Sequence, residues 1–310
     1  MAFATKVISR SMVTSAARMA AIKNVTIIGG GQMGAGIAQV AAQSGHAVTV
    51  VDLSQDVLDN SKAYIQKSLA RVAKKKYAED PDGGKEFVNS VLGNISMVTD
   101  AEGPVGTADL VIEAIIENIK IKQDLFSKLD KIAPANTIFA SNTSSLQISD
   151  IASVTSRKDR FGGLHFFNPV SMMKLVEVVR INDTSDDTYN SLMDFSKAVG
   201  KTPITCRDTP GFVVNRLLVP YMGEAIRMVE RGDATMKDVD IGMKLGAGYP
   251  MGPFELVDYV GVDVIKFILD GWSESFPDEP LFKPSKMIND LVAEGKLGVK
   301  TGEGFYKYNK

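Results

Sequence analysis

Short apolar runs alternate with helix-like segments along the first two thirds of the chain. Most of these runs are almost continuously apolar, as is typical of parallel strands that are buried on both faces. Helical segments between successive strands produce a parallel sheet covered by helices on both sides. The pattern predicts an α/β domain with a doubly wound, mostly parallel sheet, whose strands are predicted at residues 25–28, 47–51, 110–112, 137–140, 163–167 and 175–179.

A long polar stretch, residues 57–98, separates the second predicted strand from the third. It contains the lysine triplet Lys74-Lys75-Lys76 and, further on, the Pro-Asp-Gly-Gly segment at residues 81–84. Proline and glycine at such a density favour a turn. We therefore predict a helical hairpin inserted into the domain and projecting from the sheet, with residues 81–84 as its turn.

The pattern changes after Cys206, where Asp208-Thr209-Pro210-Gly211 precedes a helical segment at about residues 212–230. Thr209 is a candidate N-cap and Pro210 suits the first turn of a helix. Glycine and proline then separate further helical segments, and we find no convincing strand up to the carboxyl terminus. Two domains are predicted: residues 24–207 with the sheet, and an all-helical domain at residues 208–310.

Composition agrees with two cores and excludes several classes of protein. With 310 residues, 45% of them hydrophobic, the chain is long enough for one large and one smaller core. Its 35 basic and 37 acidic residues give a net charge of -2, so no global field attracts nucleic acid or an anionic membrane. A single cysteine and two histidines predict a reducing compartment and no metal cluster. No apolar run approaches the ~18–20 residues of a membrane span.

The first 23 residues differ from the rest of the chain. Basic residues are interleaved there with serine, threonine and many apolar residues, and the first acidic residue of the chain is Asp52. A basic, serine-rich start without acidic residues is typical of a mitochondrial transit peptide. We predict that residues 1–23 are such a peptide; the alternative is a disordered cytosolic tail.

A glycine-rich turn follows the first predicted strand. Gly29, Gly31 and Gly34 have the spacing of a dinucleotide-binding loop, in which glycines allow a tight turn and a close approach of the pyrophosphate. A helix-forming segment at residues 35–42 follows, so its N-terminal end faces the pyrophosphate. Asp52 ends the second predicted strand, where a carboxylate accepts hydrogen bonds from a ribose diol and repels a 2′-phosphate. These features predict a Rossmann-type domain that binds NAD rather than NADP.

His165 and Glu177 are the candidate catalytic pair. Each lies within an apolar strand-like segment, and a lone buried carboxylate is costly, so Glu177 should have a partner. If the two strands are neighbours, Glu177 fixes the tautomer of His165 and stabilises the imidazolium formed when this base accepts a proton. The alternatives are a satisfied core histidine and a glutamate that only reaches the sheet edge. His46, in the turn before the second strand, keeps the core interpretation.

Residues 141–145, Ser-Asn-Thr-Ser-Ser, follow another predicted strand at its carboxyl end, where open α/β sheets bind ligands. Their hydroxyl groups are candidates either for ligand contacts or for ordinary helix caps. The side chains of Asn168 and Asn215 are equally undecided on sequence grounds alone.

Beyond these patterns, the chain closely resembles the mitochondrial L-3-hydroxyacyl-CoA dehydrogenases, short-chain enzymes of fatty acid β-oxidation. The resemblance spans residue 25 to the carboxyl end. Five motifs stand in the order of that family, at residues 29–36, 141–146, 165–169, 208–216 and 301–306. The implied reaction is oxidation of the 3-hydroxyl group of an L-3-hydroxyacyl-CoA, with hydride transfer to NAD.

The resemblance also implies roles for individual residues. His165 is the general base, and Glu177 orients and supports it. Ser144 and Asn215 contact the reacting substrate oxygen. The residues implied to contact the cofactor, besides the glycine loop and Asp52, are Glu117, Lys122, Ser144, Asn168 and Lys300. Ser68 and Lys75 are implied to contact coenzyme A, in agreement with the positive charge of the lysine triplet, which suits phosphate groups; a solvated helix face is the alternative.

The same resemblance implies a homodimer formed by the helical domain, which closes over the substrate, and a location in the mitochondrial matrix. A related dehydrogenase acting on a free or phosphorylated hydroxy acid is the second hypothesis. A non-catalytic protein that retains the nucleotide fold is the third, and the intact His165/Glu177 pair disfavours it. Association with other β-oxidation activities stays open, although no hydratase domain is expected within the chain.

Overall fold

The computed structural model of the protein describes residues 22–283 and 285–308. Residues 1–21, which make up most of the predicted transit peptide, lie outside the described part of the chain. The chain divides into two compact units, one ending at Phe212 and the other beginning at Val213.

One mixed sheet organises the first unit. Among the described residues its strands follow the order β3-β2-β1-β4-β5-β6-β7-β8, and only the β6–β7 pair is antiparallel. The carboxyl ends of β1 to β6 therefore lie at one edge of the sheet, and β7 begins at that edge. The strands are β1 Asn24–Ile28, β2 Ala47–Val51, β3 Ile95–Val98, β4 Leu110–Glu113, β5 Ile138–Ser141, β6 Phe161–Phe166, β7 Leu175–Arg180 and β8 Thr202–Arg207.

Helices follow most of the strands and bury the sheet. Ile27 of β1 and Ile37 of the first helix are both 0% exposed within one continuous hydrophobic core. Polar N-caps begin several of these helices, as Ser54 does by accepting a hydrogen bond from the backbone N–H of Val57. The helices are α1 Gln32–Gln43, α2 Gln55–Lys76, α3 Pro81–Gly93, α4 Glu102–Val105, α5 Ile119–Ile132, α6 Ile148–Ala152 and α7 Asp186–Ala198, with a 3₁₀ turn at Lys158–Arg160.

The predicted fold is confirmed, but the strand prediction missed β3 and β8. Strand β3 falls within residues 57–98, all of which were predicted to form the hairpin. Neither strand carries a continuous apolar run, because both lie at the outer edges of the sheet and are largely only half-buried or exposed. Edge strands pair along one side only, so the apolar pattern expected of a central strand is absent.

Two predicted helix boundaries are wrong. Residues 81–84 do not form the turn of the hairpin, because Pro81 begins α3 and Asp80 is its N-cap, accepting a hydrogen bond from the N–H of Gly83 at 3.0 Å. Proline at the first helical position lacks only an N–H that has no helical partner. Thr209 is likewise not an N-cap, since residues 210–213 form a turn and the next helix begins at Val214.

The second unit is helical over its described residues and contains only isolated β-bridges at Gly298, Glu303 and Lys307. Its own hydrophobic core includes Phe254 and Leu269, both 0% exposed. The helices are α8 Val214–Glu230, α9 Met236–Gly246, α10 Pro253–Val260, α11 Val262–Ser275 and α12 Lys286–Ala293, with 3₁₀ turns at Pro280–Phe282 and Val299–Thr301.

Candidate active site

The glycine loop joins the end of β1 to the start of α1. Gly29 has a φ of +110°, and a Cβ there would lie 2.5 Å from the carbonyl oxygen of Ala114. A Cβ on Gly34 would lie 1.8 Å from the carbonyl oxygen of Gly29, so the helix approaches the strand as closely as backbones allow. A Cβ on Gly31 would meet nothing within 4 Å. The first and last glycines are thus required by the fold, whereas Gly31 faces open space.

The N-terminal end of α1 suits an anion. Its N-cap, Gly31, provides no side-chain hydrogen bond, and no acidic residue lies in the first turn. The backbone N–H groups of this turn therefore lack a capping side chain, and the helix dipole favours negative charge there. Open space beside Gly31 and uncapped N–H groups fit the pyrophosphate of a dinucleotide.

Asp52 follows β2, the strand next to β1. Its carboxylate accepts hydrogen bonds from the N–H groups of Gly30 at 2.8 Å and Ser54 at 3.1 Å, and the residue is half-buried. A carboxylate oxygen has more than one lone pair, so Asp52 keeps capacity to accept from ribose hydroxyl groups. The loop and Asp52 therefore fit the adenosine half of NAD.

A buried ionic cluster lies at the carboxyl ends of β4 and β5. Glu113, the last residue of β4, is 0% exposed, and its Oε1 lies 2.5 Å from the Nζ of Lys122, which is 1% exposed. The same ammonium lies 3.2 Å from Oε2 of Glu117. Two carboxylates thus share one buried lysine, an arrangement that compensates the cost of removing each charge from water.

Glu117 also holds the turn that follows β5. Its Oε1 accepts hydrogen bonds from the backbone N–H of Ser144 at 3.1 Å, from the hydroxyl of Ser145 at 3.0 Å and from the hydroxyl of Thr143. Burial by itself would raise the pKa of the Glu117 carboxyl, but the Lys122 charge and these hydrogen bonds lower it below the ordinary value of 4.5. The carboxylate is therefore ionised at neutral pH.

The predicted contact between His165 and Glu177 is present. The two residues lie directly opposite each other in the antiparallel β6–β7 pair, so their side chains share one face of the sheet. Nδ1 of His165 lies 2.6 Å from Oε2 of Glu177, which is 0% exposed. With an N–H at Nδ1 donating to this carboxylate oxygen, Nε2 carries a lone pair and can accept a proton.

Aromatic side chains surround the imidazole of His165. The ring of Phe167 lies 4.5 Å away and that of Phe212 5.6 Å away, measured between ring centroids. These contacts and the Glu177 hydrogen bond limit rotation of the imidazole. The imidazole is thereby held in one orientation at the same edge of the sheet as the glycine loop.

Cys206 is a poor candidate for a nucleophile at this site. It lies in β8, where burial first, and then the charges of Glu177 and Asp208, raise the pKa of its thiol to about 12. A thiol that stays protonated at neutral pH is a poor nucleophile.

The other predicted residues occupy different parts of the two units. Asn168 is exposed, after the end of β6, while Ser68 and Lys75 lie on α2. Asn215 is the second residue of α8, and Lys300 lies in a 3₁₀ turn; both belong to the second unit. The structure brings together Glu117, Lys122 and Ser144 at the ends of β4 and β5, at the same edge of the sheet as His165 and Glu177. Glu113, Ser141 and Thr143 belong to the same cluster.

Sequence analysis missed two of the residues that organise the site. Glu113 was not singled out, although it ends an apolar strand and so met the same criterion as Glu177. Asn142, whose Oδ1 accepts a hydrogen bond from the N–H of Phe166 at 2.9 Å, ties the loop after β5 to β6. The local sequence does not predict this contact, because Asn142 and Phe166 are brought together only by the order of the strands.

Within residues 22–283 and 285–308, no cluster of three or more His, Cys, Asp or Glu side chains is suited to a metal ion. A search of the same residues finds no helix with both the length and the apolar character needed to span a membrane.

A glycine loop suited to a dinucleotide and a buried histidine paired with a carboxylate on one sheet edge define the class: an NAD-dependent dehydrogenase of the Rossmann type. Two family models cover almost all of the described chain. The NAD-binding domain of 3-hydroxyacyl-CoA dehydrogenase matches residues 24–209, and the C-terminal domain of the same family matches residues 211–308. The chain belongs to the 3-hydroxyacyl-CoA dehydrogenase family.

Individual relatives agree with the family models. The chain is 60% identical to proteins of Sus scrofa and Homo sapiens named mitochondrial hydroxyacyl-coenzyme A dehydrogenase, in each case over 99% of this chain and 100% of the relative. Among solved structures, the (S)-3-hydroxybutyryl-CoA dehydrogenase of Ralstonia eutropha matches with a TM-score of 0.88 and 41% identity, over 93% of this chain and 100% of that chain.

These matches confirm three predictions made from the sequence: the family resemblance, the NAD-dependent 3-hydroxyacyl-CoA dehydrogenase class, and NAD as the cofactor. The roles of the individual site residues and the domain limits at residue 208 stay predictions.

Two alanine substitutions in the glycine loop should have different effects. Gly34→Ala forces a Cβ against the backbone of Gly29, and we expect the free energy of unfolding to fall by about 1–3 kcal/mol. Gly31→Ala has room in the free protein, so its stability should fall by no more than about 1 kcal/mol, because alanine is a poorer N-cap than glycine, but the methyl group should overlap a bound pyrophosphate and weaken NADH binding by about 5- to 150-fold. Urea denaturation and NADH fluorescence titration measure the two effects. Tight NADH binding by Gly31→Ala would contradict the assignment of the loop.

Because the pKa of Glu117 is lowered in the folded protein, the free energy of unfolding should depend on pH in the acid range. The folded-state pKa lies below the unfolded value, so the stabilisation is complete above pH 4.5 and is lost as the pH falls through the folded-state pKa. Removing this group with Glu117→Gln should make stability less dependent on pH below about 4.5. Urea denaturation between about pH 3 and pH 6 measures this, with the exposed Glu79→Gln as control. Parallel pH profiles for Glu117→Gln and wild type would disprove the prediction.

Proposed function

We propose that the chain oxidises the 3-hydroxyl group of L-3-hydroxyacyl-CoA to 3-oxoacyl-CoA during fatty acid β-oxidation, with His165 as the general base and Glu177 as its support. The 2.6 Å contact between His165 and Glu177 carries this proposal. Removing a hydroxyl proton at neutral pH requires a base that is held in one tautomer and stabilised once protonated. Glu177 meets both requirements.

His165 and Glu177 have different roles in the proposed reaction. Nε2 of His165 accepts the hydroxyl proton, while Nδ1 stays hydrogen-bonded to Glu177. The carboxylate, 0% exposed, stabilises the imidazolium without accepting the proton itself. NAD, held by the glycine loop and Asp52, would supply the acceptor for the hydride that leaves C3 of the substrate. In the reverse direction the imidazolium returns the proton to the oxygen of the 3-oxo group.

The ends of β4 and β5 are the proposed site of the nicotinamide half of NAD. Asp52 lies beyond β2 and would hold the adenosine half, so β4 and β5, on the other side of β1, would hold the nicotinamide half. We assign Glu117 and Lys122 to the second ribose there and Ser144 to the reacting oxygen, as the family resemblance implies. Asn168, beyond β6, is assigned to the cofactor; the assignments of Asn215 to substrate and Lys300 to NAD rest on the family resemblance alone.

Helix α2 is the proposed site for coenzyme A. Ser68 and Lys75 are seven residues apart, which is close to two helical turns, so they lie on the same side of α2. The exposed Lys74, Lys75 and Lys76 provide local positive charge in a chain whose net charge is near zero. Phosphate groups of the substrate would be attracted to that charge.

A homodimer is also proposed, formed through the helical second unit. Four large apolar side chains of this unit are at least 63% exposed: Leu217, Leu245, Tyr259 and Phe267. A dimer interface that covered these side chains would remove their apolar surface from water. Sedimentation equilibrium measures the association directly, and a monomer at micromolar concentration would exclude it.

We propose the mitochondrial matrix as the location and residues 1–23 as a cleaved transit peptide. The basic, acid-free start of the chain supports this location, as do the mitochondrial names of relatives that are aligned over 99% of the chain. The sequenced amino terminus of the organellar protein would test it.

Loss of the base should slow the chemical step and leave cofactor binding intact. We expect His165→Gln to lower kcat by about 10²- to 10⁴-fold, with little change in NADH affinity. The assay is NADH oxidation with acetoacetyl-CoA, followed by absorbance. His46→Gln is the matched control, since His46 is also buried and packs against Phe195, at 5.2 Å between ring centroids. Turnover by His165→Gln at the wild-type rate would reject the mechanism.

Coenzyme A recognition should depend on the lysine triplet. Replacing Lys74, Lys75 and Lys76 by alanine should raise KM for acetoacetyl-CoA by about tenfold, with a smaller change in kcat, and the effect should shrink at high salt. The control replaces the exposed Lys128 and Lys131 of α5.

Free acetoacetate should be a poor substrate, and NADPH should be a poor replacement for NADH. Equal turnover of free acetoacetate would favour a hydroxy-acid dehydrogenase instead.

A further inference from the structure

Glu113 has no part in the chemistry proposed above, yet it is one of the most completely buried carboxylates of the first unit. Its Oε1 accepts hydrogen bonds from Nζ of Lys122 at 2.5 Å and from the N–H of Ile115 at 2.7 Å. Its Oε2 accepts one from the hydroxyl of Ser141 at 2.5 Å. A carboxylate that is 0% exposed and fully surrounded by donors is built into the fold for a specific arrangement.

Lys122 connects Glu113 to the proposed nicotinamide site. Its ammonium lies 2.5 Å from Glu113 and 3.2 Å from Glu117, and its side chain is 1% exposed. The shorter contact is to Glu113, so this residue determines where the ammonium sits. The ammonium in turn determines where Oε2 of Glu117 sits, because charge-assisted hydrogen bonds are short and directional.

A second set of contacts leads from Glu113 to the same turn. The hydroxyl of Ser141 donates to Glu113 and accepts a hydrogen bond from the N–H of Thr143 at 3.2 Å. Thr143 and the following Ser144 are also held by Glu117. Glu113 therefore supports the turn after β5 from two directions, through Lys122 and through Ser141.

Strand register places Glu113 between the two halves of the cofactor site. It pairs with Ile28, the residue before the glycine loop, and with Ser141 at the end of β5. Its side-chain contacts with Ser141 and Lys122 lead towards β5 and α5, and its contact with the N–H of Ile115 lies in the loop after β4. The glycine loop and Asp52 are hydrogen-bonded to each other without it.

We propose that Glu113 is a positioning residue for the nicotinamide half of NAD, acting through Lys122 on Glu117 and the turn that carries Ser144. This inference rests on the proposed function in one respect, the location of the nicotinamide half at the ends of β4 and β5. It assigns Glu113 no contact with substrate or cofactor. It requires that binding of the adenosine half be independent of Glu113.

The first test compares two ligands of the full-length protein. ADP occupies only the glycine loop and the Asp52 side, whereas NADH also reaches the ends of β4 and β5. For Glu113→Gln we expect Kd for NADH to rise by about tenfold, as for loss of a hydrogen bond to a charged group, and Kd for ADP to stay unchanged. Equal losses for the two ligands would show a merely structural role and overturn the proposal; so would unchanged NADH binding.

The second test is a double-mutant cycle with Lys122→Met. If Glu113 acts mainly through Lys122, adding Glu113→Gln to Lys122→Met should lower NADH affinity by much less than in the wild-type background, since only the route through Ser141 remains. A further loss of about tenfold, as large as in the wild-type background, would overturn the proposal. The double variant contains no unpaired buried ammonium, so this comparison with Lys122→Met remains decisive if Glu113→Gln alone does not fold.

Asp109→Asn is the matched control. Asp109 precedes β4 at the opposite end of the strand from Glu113, and its carboxylate accepts hydrogen bonds from the N–H groups of Lys23 and Asn24, both at 2.8 Å. This variant should bind ADP and NADH as wild type does. A wild-type protein that binds no NADH would reject the proposed function itself; normal wild-type binding with an unaffected Glu113→Gln would reject only the present inference.

Discussion

Burial of carboxylates at one edge of the sheet is the constraint on which the site depends. Glu113 and Glu177 are 0% exposed, and an unpaired buried charge would cost several kcal/mol. Each carboxylate therefore has a hydrogen-bonded partner: Lys122 for Glu113 and His165 for Glu177. Because each carboxylate is bound by its partner, the loops after β4 and β5 and the imidazole of His165 are held in single arrangements. A preorganised site requires such fixed positions.

Reversal of one strand makes the contact between His165 and Glu177 possible. Strand β7 runs antiparallel to β6, so Glu177, near the start of β7, lies opposite His165, near the end of β6. A parallel β7 would instead begin at the far edge of the sheet. A slip of one residue in register would turn Glu177 to the other face, so the hydrophobic neighbours of this strand also fix the position of the carboxylate.

Prediction from the sequence was most accurate where the local pattern was strong. The central strands and the glycine loop were found because parallel strands buried on both faces are apolar throughout and because a tight turn requires glycine. Strands β3 and β8 were missed because edge positions impose no such pattern. The start of α3 was also missed, since Pro81 is compatible with either a turn or the first residue of a helix.

By itself the sequence determined the alternation of strands and helices, the dinucleotide loop with Asp52 and the residues capable of acid–base chemistry, because each depends on neighbouring residues or short spacings. Tertiary structure decided which of these residues meet. The 2.6 Å contact between His165 and Glu177, and the hydrogen bond from Ser141 to Glu113, follow from strand order and register. Those are properties of long-range pairing, which hydrophobic burial of the whole sheet selects and no local spacing encodes.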